Sequence, residues 1–337
     1  MPFFMKKDTM EEKKKKRIMM NLVLLVILMG LSILSIGIGA EEFSFFDLLK
    51  GHGQESFLMS ISRLPRTLSI IITGAGLSMA GLIMQTITNN KFVSPSTAGT
   101  MEWCRLGVAI AILCFGGQAT GFKVTFAFLV SLGGTMLFMM LLQGLRVKNA
   151  FIVPLVGMMM GNVVSSVTTF FAYQYDIIQN MSSWLQGNFS LIIKGRYEIL
   201  YLGIPCLILV YVYASRFTIA GMGEEFATGL GLSHKKIVML GLIIVAFLTS
   251  LIVVTIGSIP FIGLIIPNIV SLYHGDNLKG TLFETAMLGA IFVMLCDILG
   301  RIVIAPYEIS ISVIVSVLGS FIFIILLFWK NKKGGAA

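Results

Sequence analysis

An all-α polytopic membrane protein with about ten transmembrane helices is the fold class that the sequence predicts. Hydrophobic residues make up 56% of the 337 residues and charged residues only 12%, whereas a soluble domain carries about 25% charged residues. The apolar segments are continuous runs of helical length, not the alternating strands of an outer-membrane barrel. Because the bilayer core offers no water to backbone polar groups, such runs must form helices.

The apolar runs give the order of the helices along the chain. The first run follows a basic tail, residues 1–17, and is longer than the hydrophobic region of a signal peptide, so we expect it to remain as a membrane helix. The third run begins with polar residues and the eighth is short, so we expect nine or ten helices. Together they form a transmembrane domain at 18–329, followed by a C-terminal tail at 330–337. The predicted helices span residues 18–40, 66–88, 97–117, 122–143, 149–173, 196–216, 235–257, 259–273, 281–300 and 310–329.

The distribution of the 25 lysines and arginines predicts the orientation in a cytoplasmic (plasma) membrane. If the N-terminus is cytoplasmic and the helices alternate, most of these residues lie on the cytoplasmic side, as the positive-inside rule requires. Both termini are then cytoplasmic, and so are "NNKFVSP" at 89–95 and the loop at 217–236. The basic residues lie at the ends of apolar runs and form no stripe with interleaved aromatics, which argues against a nucleic-acid partner.

Ionisable side chains inside the predicted helices are few. Glu102 and Arg105 are three residues apart, and Asp297 and Arg301 are four apart, so each pair can form an ion pair on one helix face. These are isolated pairs, whereas a proton-coupled transporter needs a relay of such groups. The sequence has no phosphate-binding loop, and its histidines and cysteines lack metal-ligand spacing. We therefore expect neither a catalytic residue nor a bound metal or other cofactor on this chain.

Two further stretches carry a structural prediction. Small residues in "GAGLSMAG", residues 74–81, predict close helix–helix packing. The stretch "GEEFATGLGLSHKK", residues 223–236, interrupts two apolar runs and carries Phe226 and Leu230 four positions apart, which predicts a short amphipathic helix. Taken alone, this second pattern also fits an ordinary polar loop with a helical turn.

Three longer segments carry a family resemblance. They are "RLPRTLSIIITGAGLSMAGLIMQTITNNKFVSPSTAG", "GSIPFIGLIIPNIVSLYHGDN" and "MLCDILGRIVIAPYEISISVIVSVLGSFIFIILL". In order, spacing and total length the chain resembles, from about residue 20 onward, the permease subunits of iron-siderophore and vitamin B12 ABC importers. The form "NKFVSPSTAGTMEWCRLG" resembles the branch that handles catecholate siderophores such as petrobactin. The resemblance implies the type II ABC importer permease fold.

The resemblance also implies partners and a coupling element. The permease pairs with a second permease subunit, identical or different, with the path at their interface. A cytoplasmic ABC ATPase dimer, which binds the ATP and Mg, powers it, and an extracytoplasmic siderophore-binding protein delivers the substrate. The segment that docks on the ATPase corresponds here to Glu225, Phe226, Ala227, Gly229, Leu230 and Gly231.

The remaining site residues come from the same resemblance. Arg63, Arg66 and Arg301 match positions that meet acidic residues of the binding protein, although arginines also anchor helix ends at a membrane interface. Asn90 and Phe92 match positions that narrow the cytoplasmic end of the path.

Two departures from the family pattern concern the cytoplasmic loop and its neighbour. Asn268 replaces a usual histidine, and Lys91 replaces a usual proline, which leaves the conformation of the loop around Lys91 open. Asparagine and histidine can both form hydrogen bonds, so the fold prediction is unaffected.

The function that the sequence predicts is permeation of a ferric siderophore, of catecholate type, driven by a separate ATPase. An importer of the same architecture for haem or a cobalamin is one alternative. An ion-coupled secondary transporter and a channel or scaffold are alternatives of other classes.

Overall fold

A computed structural model describes residues 2–38, 57, 59–115, 120–144, 151–195, 197–274 and 278–334. These residues form a helical bundle, with a lone parallel bridge between Gln186 and Ser258. A π-helical turn at Met59–Arg63 precedes α2, and a 3-10 turn at Glu198–Leu202 precedes α7. The helices are α1 Pro2–Gly37, α2 Leu64–Ile87, α3 Thr100–Phe115, α4 Thr120–Gly144, α5 Ile152–Gln174, α6 Ile178–Leu185, α7 Gly203–Gly221, α8 Glu224–Gly229, α9 His234–Thr255, α10 Ile262–His274, α11 Leu278–Ile302 and α12 Ile311–Gly334.

Each of the ten predicted membrane helices has a counterpart in this structure. Within the described residues, eight helices are long and apolar enough to cross a membrane. The other two counterparts, α3 and α10, have 16 and 13 residues. At about 1.5 Å per residue they are about 24 and 20 Å long, short of the roughly 30 Å hydrocarbon core. These are the two runs that the sequence marks as polar at one end or short.

Several features differ from the prediction. Helix α1 begins at Pro2 and runs through the basic tail, because that tail is built from Lys, Glu and Met, which are strong helix formers. Helix α6, with eight residues, has no predicted counterpart, since a run that short gives little periodic signal. Helix α7 ends at Gly221 and α9 begins at His234, so the loop predicted at 217–236 is shorter by several residues at its start.

Helix α2 lies at the centre of the bundle and packs against α7, α9, α10 and α11. Most of its residues are buried. A Cβ on Gly74 would overlap the backbone of Gly289 in α11, and one on Gly81 would overlap the backbone of Gly263 in α10. The close helix packing predicted from "GAGLSMAG" is therefore confirmed, because backbones approach here at the distance that only glycine allows.

The candidate site residues lie at two ends of the bundle. Between Arg66 and Ile87, α2 rises by roughly 30 Å at 1.5 Å per residue. We call the end with Arg63, Arg66 and Arg301 the arginine end. The opposite end, the α8 end, carries α8 and the segment 88–99, and there Gly221 of α7 lies against the carbonyl of Thr86 in α2.

Candidate functional sites

Helix α8 is a six-residue helix whose two ends are set by glycines with positive φ. Gly223, the residue before the helix, has φ +114°, and Gly231, beyond its end, has φ +75°. The Gly231 amide donates to the Thr228 carbonyl at 2.9 Å, and the Leu232 amide donates to the Ala227 carbonyl at 3.0 Å. This pair of bonds is a Schellman motif, in which glycine adopts the left-handed conformation at little steric cost. The motif ends the helix and returns the chain toward α9.

The two faces of α8 differ in burial. Ala227 is fully buried where α8 packs against α7 and α9. Phe226 and Leu230 are 52% and 57% exposed and lie four residues apart, so their side chains are neighbours on one surface. A Cβ on Gly229 would meet no atom within 4 Å. The short amphipathic helix predicted from the sequence is present, and its apolar side faces away from the chain.

At the arginine end, Asp297 holds two arginines together. Arg66 Nη2 lies 2.8 Å from Asp297 Oδ1, and Arg301 Nη2 lies 2.8 Å from Asp297 Oδ2. Arg66 also forms a 3.0 Å ion pair with Glu308. The exposed fractions of the side chains are 14% for Arg66, 5% for Arg301 and 4% for Asp297. The pairing of Asp297 with Arg301, predicted from their spacing, is confirmed.

The three arginines at this end differ in what holds them. Arg301 also donates to the Ser35 carbonyl at 2.8 Å and to the Ser35 hydroxyl at 2.6 Å, which ties α11 to α1. Arg63 is half-buried at the end of the π-helical turn and donates to the Ile36 carbonyl. Contact with a binding protein remains a prediction for all three arginines. The side chain of Arg301 is less exposed than that of Arg66.

The segment 88–99 turns sharply at the α8 end. Asn90 is 7% exposed, and its side-chain oxygen accepts the Phe92 amide at 2.9 Å, an Asx turn. Asn268 of α10 donates its side-chain amide to the Lys91 carbonyl at 2.7 Å. Asn268 and Lys91, the two residues that depart from the family pattern, are therefore joined by a hydrogen bond. This contact spans 177 residues of sequence, so no local pattern could have shown it.

Phe92 joins this segment to two further helices. Its ring stacks on Phe151, beside the start of α5, at 5.2 Å between centroids and an interplanar angle of 23°. It meets Phe323 of α12 edge to face at 6.2 Å and 88°. Such aromatic pairs contribute about 0.5–1.5 kcal/mol each beyond their buried area. Both candidate gate residues therefore lie in one packed loop between α2, α5 and α12.

A cavity of about 650 Å³ lies between α3, α5, α6 and α12. Its volume is in the range of small-molecule sites, about 300–1,000 Å³. Glu102 and Arg105 contribute to its wall, with Arg105 Nη1 3.2 Å from Glu102 Oε2, so the second predicted intrahelical pair is also confirmed. Hydroxyl groups from several helices complete much of the polar lining. The sequence does not predict this cavity, because isolated Ser and Thr residues in apolar helices give no motif.

Comparison with known proteins gives the family. A sequence model of the FecCD transport family matches residues 24–329. The chain belongs to the FecCD transport family. It is 54% identical to the petrobactin import system permease protein YclN of Bacillus subtilis, over 91% of this chain and 98% of that one. It is 37% identical to the petrobactin import system permease protein FatD of Bacillus anthracis, over 92% and 91%. With the vitamin B12 import system permease protein BtuC of Salmonella typhi it shares 30%, over 91% and 93%.

The fold of this FecCD chain also matches a solved structure. That structure is described as a metal-chelate type ABC transporter in an inward-facing conformation. It superposes with a TM-score of 0.77 at 24% identity and covers 93% of this chain and 99% of its own. Both the family resemblance and the importer permease fold predicted from the sequence are therefore confirmed.

Proposed function

We propose that this FecCD-family chain is the permease subunit of an ATP-driven importer of ferric siderophores of the petrobactin type. The observation that carries the proposal is the 54% identity to a petrobactin import permease over nearly the full length of both chains. The vitamin B12 permease aligns over a similar length at 30%. The architecture is therefore common to both, and the higher identity favours the siderophore over a cobalamin as substrate.

Helix α8 is the site where we propose that the ATPase subunit docks. Phe226 and Leu230 expose adjacent apolar side chains that water would cover in an isolated chain, and burial in a partner's groove removes that cost. The open space around Gly229 lets a partner approach the helix backbone. Glu225 lies in the first turn, where a carboxylate suits the helix dipole. Ala227, buried against the bundle, transmits movement of α8 to α7 and α9.

The arginine end is the proposed docking site of a substrate-binding protein. Arg63 and Arg66 are the better-exposed of the three arginines and would meet acidic residues of that protein, since charge pairing sets register and association rate. Arg301 is almost fully enclosed in this chain, so we assign it the role of holding Asp297, and with it Arg66, in position. Docking at this end places it outside the cell.

The α8 end then faces the cytoplasm, together with both termini, as the distribution of basic residues predicts. Asn90 and Phe92 lie at this end and are the proposed inner gate. The aromatic contacts of Phe92 with Phe151 and Phe323 join the loop to α5 and α12, so that a shift of either helix would move the gate. A second permease subunit would complete the path alongside this one.

Reconstitution tests the proposal. The chain would be assembled in vesicles with its ATPase, and uptake of radiolabelled ferric petrobactin delivered by the binding protein would be measured with and without ATP. We expect uptake that requires both ATP and the binding protein. Uptake by the purified chain alone, driven by a proton gradient and indifferent to ATP, would establish the ion-coupled alternative instead. Preference for haem or cobalamin over ferric petrobactin would reject the substrate assignment and leave the architecture intact.

A further inference from the structure

The cavity between α3, α5, α6 and α12 contains one feature that the proposed coupling, docking and gate sites do not use. Among the described residues that line it, Glu102 and Arg105 are the only charged ones. Their side chains are 25% and 33% exposed. Charged groups within apolar helices are costly, and those that face a polar cavity commonly mark a substrate path. The position of the Glu102–Arg105 pair therefore indicates a role in the substrate path in addition to a structural one.

The guanidinium of Arg105 has unused hydrogen-bonding capacity. Among the described residues its one ion pair is with Glu102 on the same helix, at 3.2 Å, and its buried Nε has no hydrogen-bond acceptor there. Arg66 at the arginine end, by contrast, pairs with two carboxylates. Arginine carries five N–H donors in a planar fork that matches two oxygens of one group. Because Nε is buried while the side chain as a whole is 33% exposed, the terminal N–H groups of Arg105 are the ones that can bind another oxygen ligand.

The walls around the pair suit a polar, oxygen-rich molecule. Ser165 and Thr169 of α5, Ser182 of α6, and Ser312 and Ser316 of α12 bring hydroxyl groups to the same cavity. A hydroxyl can donate or accept, so these groups adapt to different oxygen ligands. Gly161 of α5 lies opposite the side chain of Glu102, and an added Cβ there would lie 3.4 Å from Glu102 Cγ, at van der Waals contact.

We propose that Arg105, poised by Glu102, is a specificity-determining residue that recognises the carboxylate or phenolate oxygens of a negatively charged ferric chelate as it passes through the cavity. This inference rests on the proposed function and names the chemical class of its substrate. A guanidinium forms short, charge-assisted bonds with such oxygens. Glu102 competes for the same guanidinium, so the chelate is held weakly enough to leave again, as conduction through a path requires.

The test uses the complete complex of permease, ATPase and binding protein in vesicles, with radiolabelled ferric petrobactin as the probe. For Arg105→Gln we expect uptake to fall about tenfold, the effect of losing one charge-assisted hydrogen bond. Arg105→Lys keeps the charge and loses the planar fork of N–H donors, so its uptake should lie between that of wild type and that of Arg105→Gln. Arg216→Gln is the matched control, because Arg216 lies on α7 over the Tyr213 ring and outside the cavity.

A second variant separates recognition from a structural role. Glu102→Gln removes the competing carboxylate, so uptake should fall while more radiolabel stays bound to the purified complex. Basal ATP hydrolysis and the yield of assembled complex should match wild type for all four variants. Wild-type uptake by Arg105→Gln would overturn the inference, and so would a loss of uptake accompanied by poor assembly. Failure of the wild-type complex to import ferric petrobactin is a different result, which would reject the proposed function itself.

Discussion

Arg66 and Asp297 form an ion pair, 2.8 Å between Nη2 and Oδ1, that joins α2 to α11 across 231 residues of sequence. The same carboxylate binds Arg301, so one enclosed negative charge stands between two positive charges. Removing one member of a buried ionic group leaves its partners uncompensated, which commonly costs about 3–5 kcal/mol.

Asp297→Ala therefore leaves two arginines facing each other at the arginine end. We expect a loss of about 3 kcal/mol or more in stability, measured as a lower unfolding temperature of the purified chain in detergent. Glu308→Ala is the matched control, because Glu308 pairs with the same Arg66 but is 28% exposed, and such pairs contribute about 1 kcal/mol at most. Equal losses for the two variants would contradict the organising role of Asp297.

The contact between Gly81 and Gly263 gives a second prediction. A Cβ at Gly81 would overlap the backbone of Gly263, so Gly81→Ala must push α2 and α10 apart. We expect destabilisation of about 1–3 kcal/mol, the usual cost of overpacking, or failure to accumulate folded chain. Gly133→Ala in α4 is the control, since a Cβ there meets nothing within 4 Å and alanine is favoured over glycine in a helix by up to about 1 kcal/mol. A Gly81→Ala variant as stable as Gly133→Ala would contradict the packing described.

These two contacts show what the sequence could and could not predict. Apolar run length predicts the helices, because a bilayer-spanning helix needs a fixed number of apolar residues. Spacing within one helix predicts the Glu102–Arg105 and Asp297–Arg301 pairs. The partner of Arg66 and the neighbour of Gly81 depend on which helices pack together. The residue pattern within a single helix does not show which helices those are.

The candidate sites divide in the same way. The local pattern around Phe226 and Leu230 predicts α8, since the apolar side chains and the glycines that flank the helix lie within a few residues of one another. The bond between Asn268 and the Lys91 carbonyl could not be predicted, because it joins α10 to a loop that is distant in sequence. The cavity around Arg105 could not be predicted for the same reason, because its walls come from helices spread over much of the chain.

A third prediction concerns the docking of a binding protein at the arginine end. Arg63→Gln removes one half-buried positive charge without adding a negative charge beside Asp297. We expect several-fold weaker affinity for the binding protein, with the difference shrinking as salt rises, because screening reduces charge pairing. Affinity measured by surface immobilisation at low and high salt checks this, with Arg216→Gln at the other end of the bundle as control. Unchanged affinity at low salt would remove Arg63 from the docking site.

A fourth prediction concerns the gate. Phe92→Ala removes a stacked contact with Phe151 and an edge contact with Phe323, together about 1–3 kcal/mol of aromatic stabilisation. We expect a looser closed state, seen as faster basal ATP hydrolysis and ATP-independent leak of ferric petrobactin from loaded vesicles. Phe170→Ala is the control, because Phe170 is 64% exposed on α5 and, among the described rings, contacts only its neighbour Phe171, edge to face. Basal ATP hydrolysis at the wild-type rate and no leak with Phe92→Ala would indicate that the gate lies elsewhere.

The most direct test of the account is the association of the ATPase with α8. Leu230→Glu places a charge on the exposed apolar side of this helix, and losing the burial of one leucine side chain costs about 2 kcal/mol, about 30-fold in affinity. Leu191→Glu is the matched control, because Leu191 is 58% exposed against 57% for Leu230 and lies near the arginine end, where the neighbouring Lys194 amide donates to the Ile61 carbonyl.

The measurement is co-purification of the ATPase with each variant from membranes that contain equal amounts of permease. The account predicts that Leu191→Glu retains the ATPase at the wild-type level, whereas Leu230→Glu loses it and with it all ATP-driven uptake. Normal recovery of the ATPase with Leu230→Glu would contradict the claim that energy enters this chain through α8.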